Sequence, residues 1–372
     1  MKRRLTKNFE WSILICTILL IIIGLFAIFT ATASYAHEEF KKQLIWLVVG
    51  IPIFILFMFV DYDTWAKLSP IFYGISIILL LVVLFTNKKY GATSWLNIGK
   101  VSIQPAEFSK VSVIMFISFV MSRMLKKGGI REKNRPTRLL ILLLIFAIPV
   151  GLILKQPDIG TATAFVVAFV LMLFNSGIYR RYIITALAVV IVALPLTYFF
   201  ILPKYAPHAK TRIDVFLNPD LDPRGAGYNI TQSKLAIGAG ELFGMGYMKG
   251  NQTQLGFLYP KSTDFIFSVI GEEMGFLVAA IIIIIYVVLI TKSIYVAKTA
   301  KDDLGSLIAI GIAGVFLFHM AENIGMTIGL LPITGVPLPF VSYGGSSLLS
   351  NLIMIALLLN ISGKRQKAIF IE

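Results

Sequence analysis

Ten apolar blocks dominate this sequence and restrict what it can fold into. They run approximately over residues 11–35, 44–60, 69–86, 105–122, 138–154, 158–175, 182–203, 264–290, 305–331 and 341–361. Most have the length of about 17–25 residues that crosses a hydrocarbon core of roughly 30 Å. Their apolar residues are continuous rather than alternating, which predicts helices, the open-ended structure that satisfies its own backbone in lipid. Apolar residues make up 57% of the chain and charged ones 14%, where soluble domains carry about 25% charge. A soluble enzyme, a disordered chain and a coiled coil are therefore excluded. The expected architecture is an all-α polytopic membrane protein with ten transmembrane helices, a single domain over residues 1–372.

Lysine and arginine placement sets the orientation. With the N-terminus in the cytoplasm, 20 basic residues flank the spans inside and 6 lie on short outer loops. A further 7 lie on the long segment 204–263, and long translocated loops hardly count toward the positive-inside rule. An even number of spans returns the C-terminus, with Lys364, Arg365 and Lys367, to the cytoplasm. The net charge of +15 is thus read as loop charge, with no nucleic-acid partner expected. The basic start and the small-residue run 31–36 imitate a signal peptide, but the first apolar stretch exceeds a signal core of about 7–15 residues and reads as a retained anchor. The single cysteine, Cys16, lies inside that block and allows no internal disulfide. There is no zinc spacing, phosphate-binding loop or serine elbow.

The outer segment 204–263, between the seventh and eighth spans, is too short and glycine-rich for a core of its own. Its interleaved Tyr228, Phe243, Tyr247, Phe257 and Tyr259 argue against disorder, and residues 228–238 suit a short in-plane helix. Loops of this length on a compact scaffold are functional or disordered.

Ionisable groups in spans are costly and mark functional sites by default. Four places stand out. Gln104-Pro-Ala-Glu107-Phe-Ser-Lys110 opens the fourth span, and Glu107 and Lys110, three apart, share a helix face. They form either one wall of a polar cavity or an ion pair that only steadies the bundle. Lys155-Gln-Pro-Asp158 joins the fifth and sixth spans, with Asp158 as a site carboxylate or a helix cap. Asp264 opens the eighth span at the water–lipid boundary, where desolvation raises a carboxylate's pKa toward that of a useful base; capping is again the alternative. Glu272 and Glu273 lie about 12–14 Å deeper, at 1.5 Å per residue, and are expected to hold the bundle or to pair with Lys or Arg. The ninth span carries His319, Glu322 and Asn323, with His319 read as a hydrogen-bonded interior residue. Ser342-Tyr-Gly-Gly-Ser-Ser347 then opens the tenth, as an anion-holding helix start or a tight packing turn. His37 and His208 are isolated. Most of these groups cluster toward the outer face, which suggests a site open to lipid-borne molecules.

Six stretches in register make the chain resemble the SEDS family (shape, elongation, division and sporulation): Gly91-Ala-Thr-Ser-Trp95-Leu-Asn-Ile-Gly99, Ile103-Gln-Pro-Ala-Glu107-Phe108, Gln156-Pro-Asp-Ile-Gly-Thr161, Gly227-Tyr-Asn-Ile-Thr-Gln-Ser-Lys-Leu-Ala-Ile-Gly238, Thr263-Asp-Phe-Ile-Phe-Ser-Val-Ile270 with Glu272-Glu273, and Gly335-Val-Pro-Leu-Pro-Phe-Val-Ser-Tyr-Gly-Gly-Ser-Ser347. Gly91–Trp95 and Lys42-Gln-Leu-Ile-Trp46 resemble the RodA branch more than FtsW or SpoVE types. The resemblance implies a multi-pass protein of the bacterial cytoplasmic membrane that polymerises lipid II into glycan on the outer face, for elongation and rod shape. It implies a class B penicillin-binding protein as partner, packed on spans 8 and 9 and the outer surface, besides lipid II and membrane lipids. The family's essential aspartate falls on Asp264 and its functionally important outer-loop tryptophan on Trp95. The segment Leu258-Tyr-Pro-Lys-Ser-Thr263 departs from the family, lacking the acid and histidine many members carry, so no role passes to 258–262; Lys261 is left as a conceivable phosphate contact.

On this reading Asp264 deprotonates the acceptor sugar's 4-hydroxyl, which attacks the donor's anomeric carbon with inversion. Lys110, Lys155, Arg212 and Lys234 are candidates to neutralise the pyrophosphate, with a divalent cation such as magnesium or manganese left open and no protein metal ligands assigned. Trp95 stacks on a sugar or packs at the interface. Gln104, Glu107, Asp158 and Ser342 complete the candidate substrate-binding set. The alternatives are a lipid II flippase, a division or sporulation paralogue, and a non-catalytic scaffold of the wall machinery.

Overall fold

The computed structural model describes residues 9–364 apart from 87–93, 100, 180, 183, 186–187, 189–194, 196 and 206. Six helices, α1 (Trp11–Ala31), α2 (Glu38–Phe59), α3 (Tyr62–Val83), α4 (Pro105–Lys133), α5 (Pro136–Lys155) and α6 (Ile159–Asn175), follow the first six apolar blocks. A small hairpin, β1 (Leu96–Ile98) and β2 (Val101–Ile103), joins α3 to α4 with Leu96 opposite Ile103. The outer segment contains α7 (Pro207–Leu217) and α8 (Ala226–Ala239), and the last three spans are α9 (Ile266–Thr299), α10 (Asp303–Thr327) and α11 (Gly345–Lys364).

Eight of these helices are long and apolar enough to cross a membrane, and α6, with 17 residues, is a shorter apolar helix. The seventh block, 182–203, lies partly outside the described residues, and Gly91–Thr93 and the basic residues Arg365 and Lys367 lie wholly outside them. A helix covers the expected stretch 228–238 as α8.

Three boundaries differ from expectation. Residues 123–133, read as cytoplasmic loop, continue α4 as helix through Gly128-Gly129, up to the turn before Pro136 opens α5. Lys41 and Lys42 belong to the first turns of α2 rather than to a loop. The tenth span starts at Gly345, after the turn that contains Ser342. The eighth span is also broken: Gly275 has φ +77° and ψ −179°, a conformation that only glycine adopts readily.

In lipid, helices associate by close packing and interhelical hydrogen bonds rather than by the hydrophobic effect. The most enclosed helix is α11, followed equally by α4 and α10; α2, α3 and α5 turn most of their surface outward. Interior hydroxyl and amide groups tie the bundle. Ser76 on α3 meets Ser112 on α4 at 2.7 Å, and Asn360 on α11 donates to the carbonyls of Phe57 and Met58 at the end of α2. The Tyr286 hydroxyl of α9 donates to the Pro339 carbonyl in the strap 332–344 that links α10 to α11.

Candidate active site at the outer end of the bundle

Asp264 ends the outer segment two residues before α9. Its main-chain carbonyl accepts from Asn323 Nδ2 of α10 at 2.9 Å, and the same amide nitrogen donates to the Val336 carbonyl at 2.8 Å. The carbonyl of the preceding Thr263 accepts from Ser342 Oγ at 2.6 Å, and Ser342 Oγ in turn accepts from the Leu338 amide at 2.8 Å. The Tyr343 amide donates to the Ser262 carbonyl at 2.9 Å. The backbone around Asp264 is therefore clamped between α10 and the strap, while its carboxylate is half-buried.

Desolvation is the largest influence on that carboxylate and holds its pKa above the usual aspartate range. The neighbouring charge of Asp158 pushes the same way, whereas a Thr263 hydrogen bond and the Arg212 guanidinium oppose it. Arg212 on α7 also donates to the Thr334 carbonyl at 3.3 Å, so α7 leans on the strap beside Asp264.

Asp158 caps α6, its Oδ1 accepting from the Thr161 amide at 3.0 Å. Its other oxygen accepts from Gln104 Nε2 at 3.1 Å. The capping and site readings thus use different oxygens of one carboxylate. Burial raises the Asp158 pKa as well. The Gln104 amide donates to Ser346 Oγ at 3.0 Å, bringing the outer ends of α4, α6 and α11 together. Trp95 is half-buried just before β1, and its carbonyl accepts from Thr86 Oγ1 at 3.3 Å.

Glu107 and Lys110 form the expected pair, Nζ to Oε1 at 2.9 Å, both side chains almost wholly buried. Lys110 Nζ also lies 3.0 Å from His319 Nε2, and His319 Nδ1 lies 3.0 Å from the Pro337 carbonyl. A carbonyl only accepts, so Nδ1 carries the proton and the neutral ring accepts from Lys110 through Nε2. Ser350 Oγ of α11 donates to the other Glu107 oxygen at 3.1 Å. The network joins α4, α10, α11 and the strap, and Lys110 is wholly engaged in it.

The remaining cations are scattered. Lys155 is exposed at the end of α5. Lys234 lies over the turn at Gly329, at the C-terminal end of α10, where carbonyls favour a cation. Lys261 is buried and donates to the Thr253 carbonyl at 2.7 Å and to Ser34 Oγ at 3.3 Å, and burial lowers its pKa. It braces the outer segment internally.

Glu272 and Glu273 meet neither Lys nor Arg in a salt bridge among the described residues. Glu272 accepts from the Gln252 amide at 2.6 Å and the Thr253 amide at 2.9 Å. Glu273 accepts from Thr30 Oγ1 of α1, the Met248 amide at 3.0 Å and Gln254 Nε2 at 2.8 Å. They tie the outer segment to α9 and α1. Sequence reading missed Arg212's place beside Asp264 and the clamp by Asn323, because both contacts join residues far apart in the chain.

No three His, Cys, Asp or Glu side chains converge on a metal site among the described residues.

The fold and this site define a multi-pass membrane protein whose reactive groups gather at one end of the bundle. Residues 10–367 match the family model FTSW_RODA_SPOVE, described as cell cycle protein, and the chain belongs to that family, the SEDS family. It is 35% identical to the probable peptidoglycan glycosyltransferase FtsW of Trichlorobacter lovleyi, over 95% of this chain and 93% of that one. It is 31% identical to the peptidoglycan glycosyltransferase RodA of Treponema pallidum, over 98% and 100%. It also superposes on a chain of a solved peptidoglycan synthase complex that coordinates polymerization and crosslinking. The TM-score is 0.81 with 25% identity, covering 96% of this chain and 99% of that one.

Proposed function

We propose that this chain polymerises lipid II into glycan strands on the outer face of the bacterial cytoplasmic membrane, with Asp264 as the general base. It is a peptidoglycan glycosyltransferase by its relatives. The observation that carries the role of Asp264 is its clamped backbone with a half-buried carboxylate of raised pKa facing Arg212. A base with a raised pKa takes a proton more readily from a sugar hydroxyl. Asp264 accepts the proton of the acceptor's 4-hydroxyl, the oxygen attacks the donor's anomeric carbon, and the lipid pyrophosphate leaves. One base serves, without the paired carboxylates of most glycosidases.

Arg212 offsets pyrophosphate charge, with exposed Lys155 and Lys234 at the rim. Gln104 and Asp158 line the acceptor side, and Trp95 covers a sugar face. Glu107, Lys110 and Ser342 act from behind, by holding the strap and the segment that presents Asp264. A magnesium or manganese ion, where bound, supplies further charge to the leaving pyrophosphate. The synthase complex that this chain resembles supports a class B penicillin-binding protein as partner, seated on α9, α10 and the outer surface. The stretch Lys42–Trp46 and the one ending at Trp95 favour elongation over division or sporulation.

The test is glycan formation from lipid II by the purified chain, alone and with its transpeptidase partner, beside Asp264→Asn. Wild-type glycan with none from the variant supports the reading. An active Asp264→Asn enzyme, or passage of lipid II across vesicles without glycan, overturns it in favour of a scaffold or a flippase.

A further inference from the structure

The outer segment does not stay outside. After α8 it turns back along α9 and meets the break at Gly275. The amides of Phe276 and Leu277 donate to the carbonyls of Glu241 (2.8 Å) and Leu242 (3.2 Å). In return, the amides of Met245 and Gly246 donate to the carbonyls of Glu272 (2.9 Å) and Glu273 (3.1 Å). The break in α9 thus frees amides and carbonyls for the passing chain. The Gly244 amide returns to the Gly240 carbonyl at 2.7 Å, and the Met248 amide reaches the Glu273 carboxylate. This non-helical stretch is hydrogen-bonded within the protein, the condition for irregular backbone at membrane depth.

Two rulers give its height. Phe276 is ten residues into α9, roughly 15 Å from its outer start at 1.5 Å per residue. Tyr247 donates its hydroxyl to the Phe26 carbonyl at 3.2 Å and packs edge-on against that ring. Phe26 lies five residues before the outer end of α1, roughly 7 Å down. Residues 242–248 carry no formal charge, and Phe243 is 79% exposed. Phe243 continues the outward-facing apolar rows of α9 (Phe276, Ile281) and α1 (Phe26).

From this placement we infer that residues 242–248, flanked by the exposed charges of Glu241 and Lys249, form a re-entrant wedge in the outer leaflet, with Phe243 in contact with lipid acyl chains. In the chain without its partner the occupant is lipid, because the patch is continuous with the outward-facing apolar rows of α9 and α1. Lys249 closes the wedge, with a stem long enough to carry its ammonium to the headgroups.

Cys16 is the sole cysteine, so single-site spin labelling needs only a Cys16→Ser background. The full chain without partner, in phosphatidylethanolamine–phosphatidylglycerol nanodiscs, is labelled at Phe243→Cys, at Ile281→Cys on the α9 lipid face, and at Leu221→Cys in the outer segment. The expected result is an oxygen-to-nickel collision ratio at position 243 that matches 281 and exceeds 221 severalfold, with strong broadening by lipids that carry a nitroxide high on the acyl chain. A label at 243 relaxed by the water-soluble nickel complex as fully as one at 221 overturns the inference, as does one reached by neither agent, which signals protein cover. If Phe243→Cys fails to fold, Leu242→Cys gives the same readout.

Discussion

The side-chain amide of Asn323 donates to the main-chain carbonyl of Asp264 at 2.9 Å and so hangs the proposed base from α10. Replacement by leucine orphans two carbonyls, those of Asp264 and Val336. Each such loss costs about 1–3 kcal/mol. Asn323→Leu is expected to lower the unfolding temperature and to depress kcat more than KM, since the base is misplaced while substrate contacts remain. Steady-state polymerisation kinetics and a thermal melt in detergent check this; an unchanged kcat in a folded variant refutes the clamp.

If Asp264 is the base proposed above, the acid side of the pH–rate profile follows its ionisation. A raised pKa keeps it protonated at pH values where an ordinary aspartate, near about 3.9, is already ionised. Activity is therefore present above the raised pKa and lost as pH falls through it. Arg212 lowers this pKa and Asp158 raises it, so their removal acts in opposite directions. Arg212→Ala is expected to move the acid limb of kcat/KM upward and Asp158→Asn to move it downward. Shifts of the same sign in both variants contradict the assignment.

The buried pair Glu107–Lys110 makes a further prediction. Removing one partner of a buried ion pair costs about 3–5 kcal/mol, because the other charge is left unpaired. Lys110→Met is expected to be severely destabilising, and Glu107→Gln combined with Lys110→Met much less so than the sum of the single changes. A double-mutant cycle on melting temperatures in detergent measures the coupling. Additive effects would show that the two groups do not depend on one another.

Gly335 has φ +76°, and a Cβ placed there would stand 3.2 Å from Asp264 Oδ2. Gly335→Ala therefore strains the strap and crowds the carboxylate together. The expected outcome is a fall in polymerisation of at least tenfold with the bundle still assembled, read by glycan yield beside size-exclusion behaviour. Full activity in this variant would mean that the strap yields freely around Asp264.

What could be read from sequence follows the range of each interaction. Spans are a local property of length and composition, and nearly all described blocks became helices. Glu107 and Lys110 were legible because three residues on one helix fix their neighbourhood. Their third partner was not, since His319 is brought in by the packing of α10 on α4. The two glutamates at 272–273 read as interior anchors, but their partners are main-chain amides and the side chains of Thr30, Thr253 and Gln254, which only the fold brings to them. The break at Gly275 was hidden too, since a glycine within an apolar run fits an unbroken helix equally well.

The last helix, α11, is buried along almost its whole length and carries Ser346, Ser347, Ser350, Asn351, Asn360 and Ser362 among its apolar residues. It is synthesised after the helices that surround it. A segment this polar gains little from lipid contact and finds its hydrogen-bond partners at the end of α2, at the start of α4 and at Glu10 ahead of α1. Membrane assembly must therefore leave a slot until α11 is made, and the proposed site gains its full support only when that slot fills, because Ser346 and Ser350 bring the ties to Gln104 and Glu107. Chains halted before α11 would hold every residue proposed for catalysis and yet lack the support that positions them.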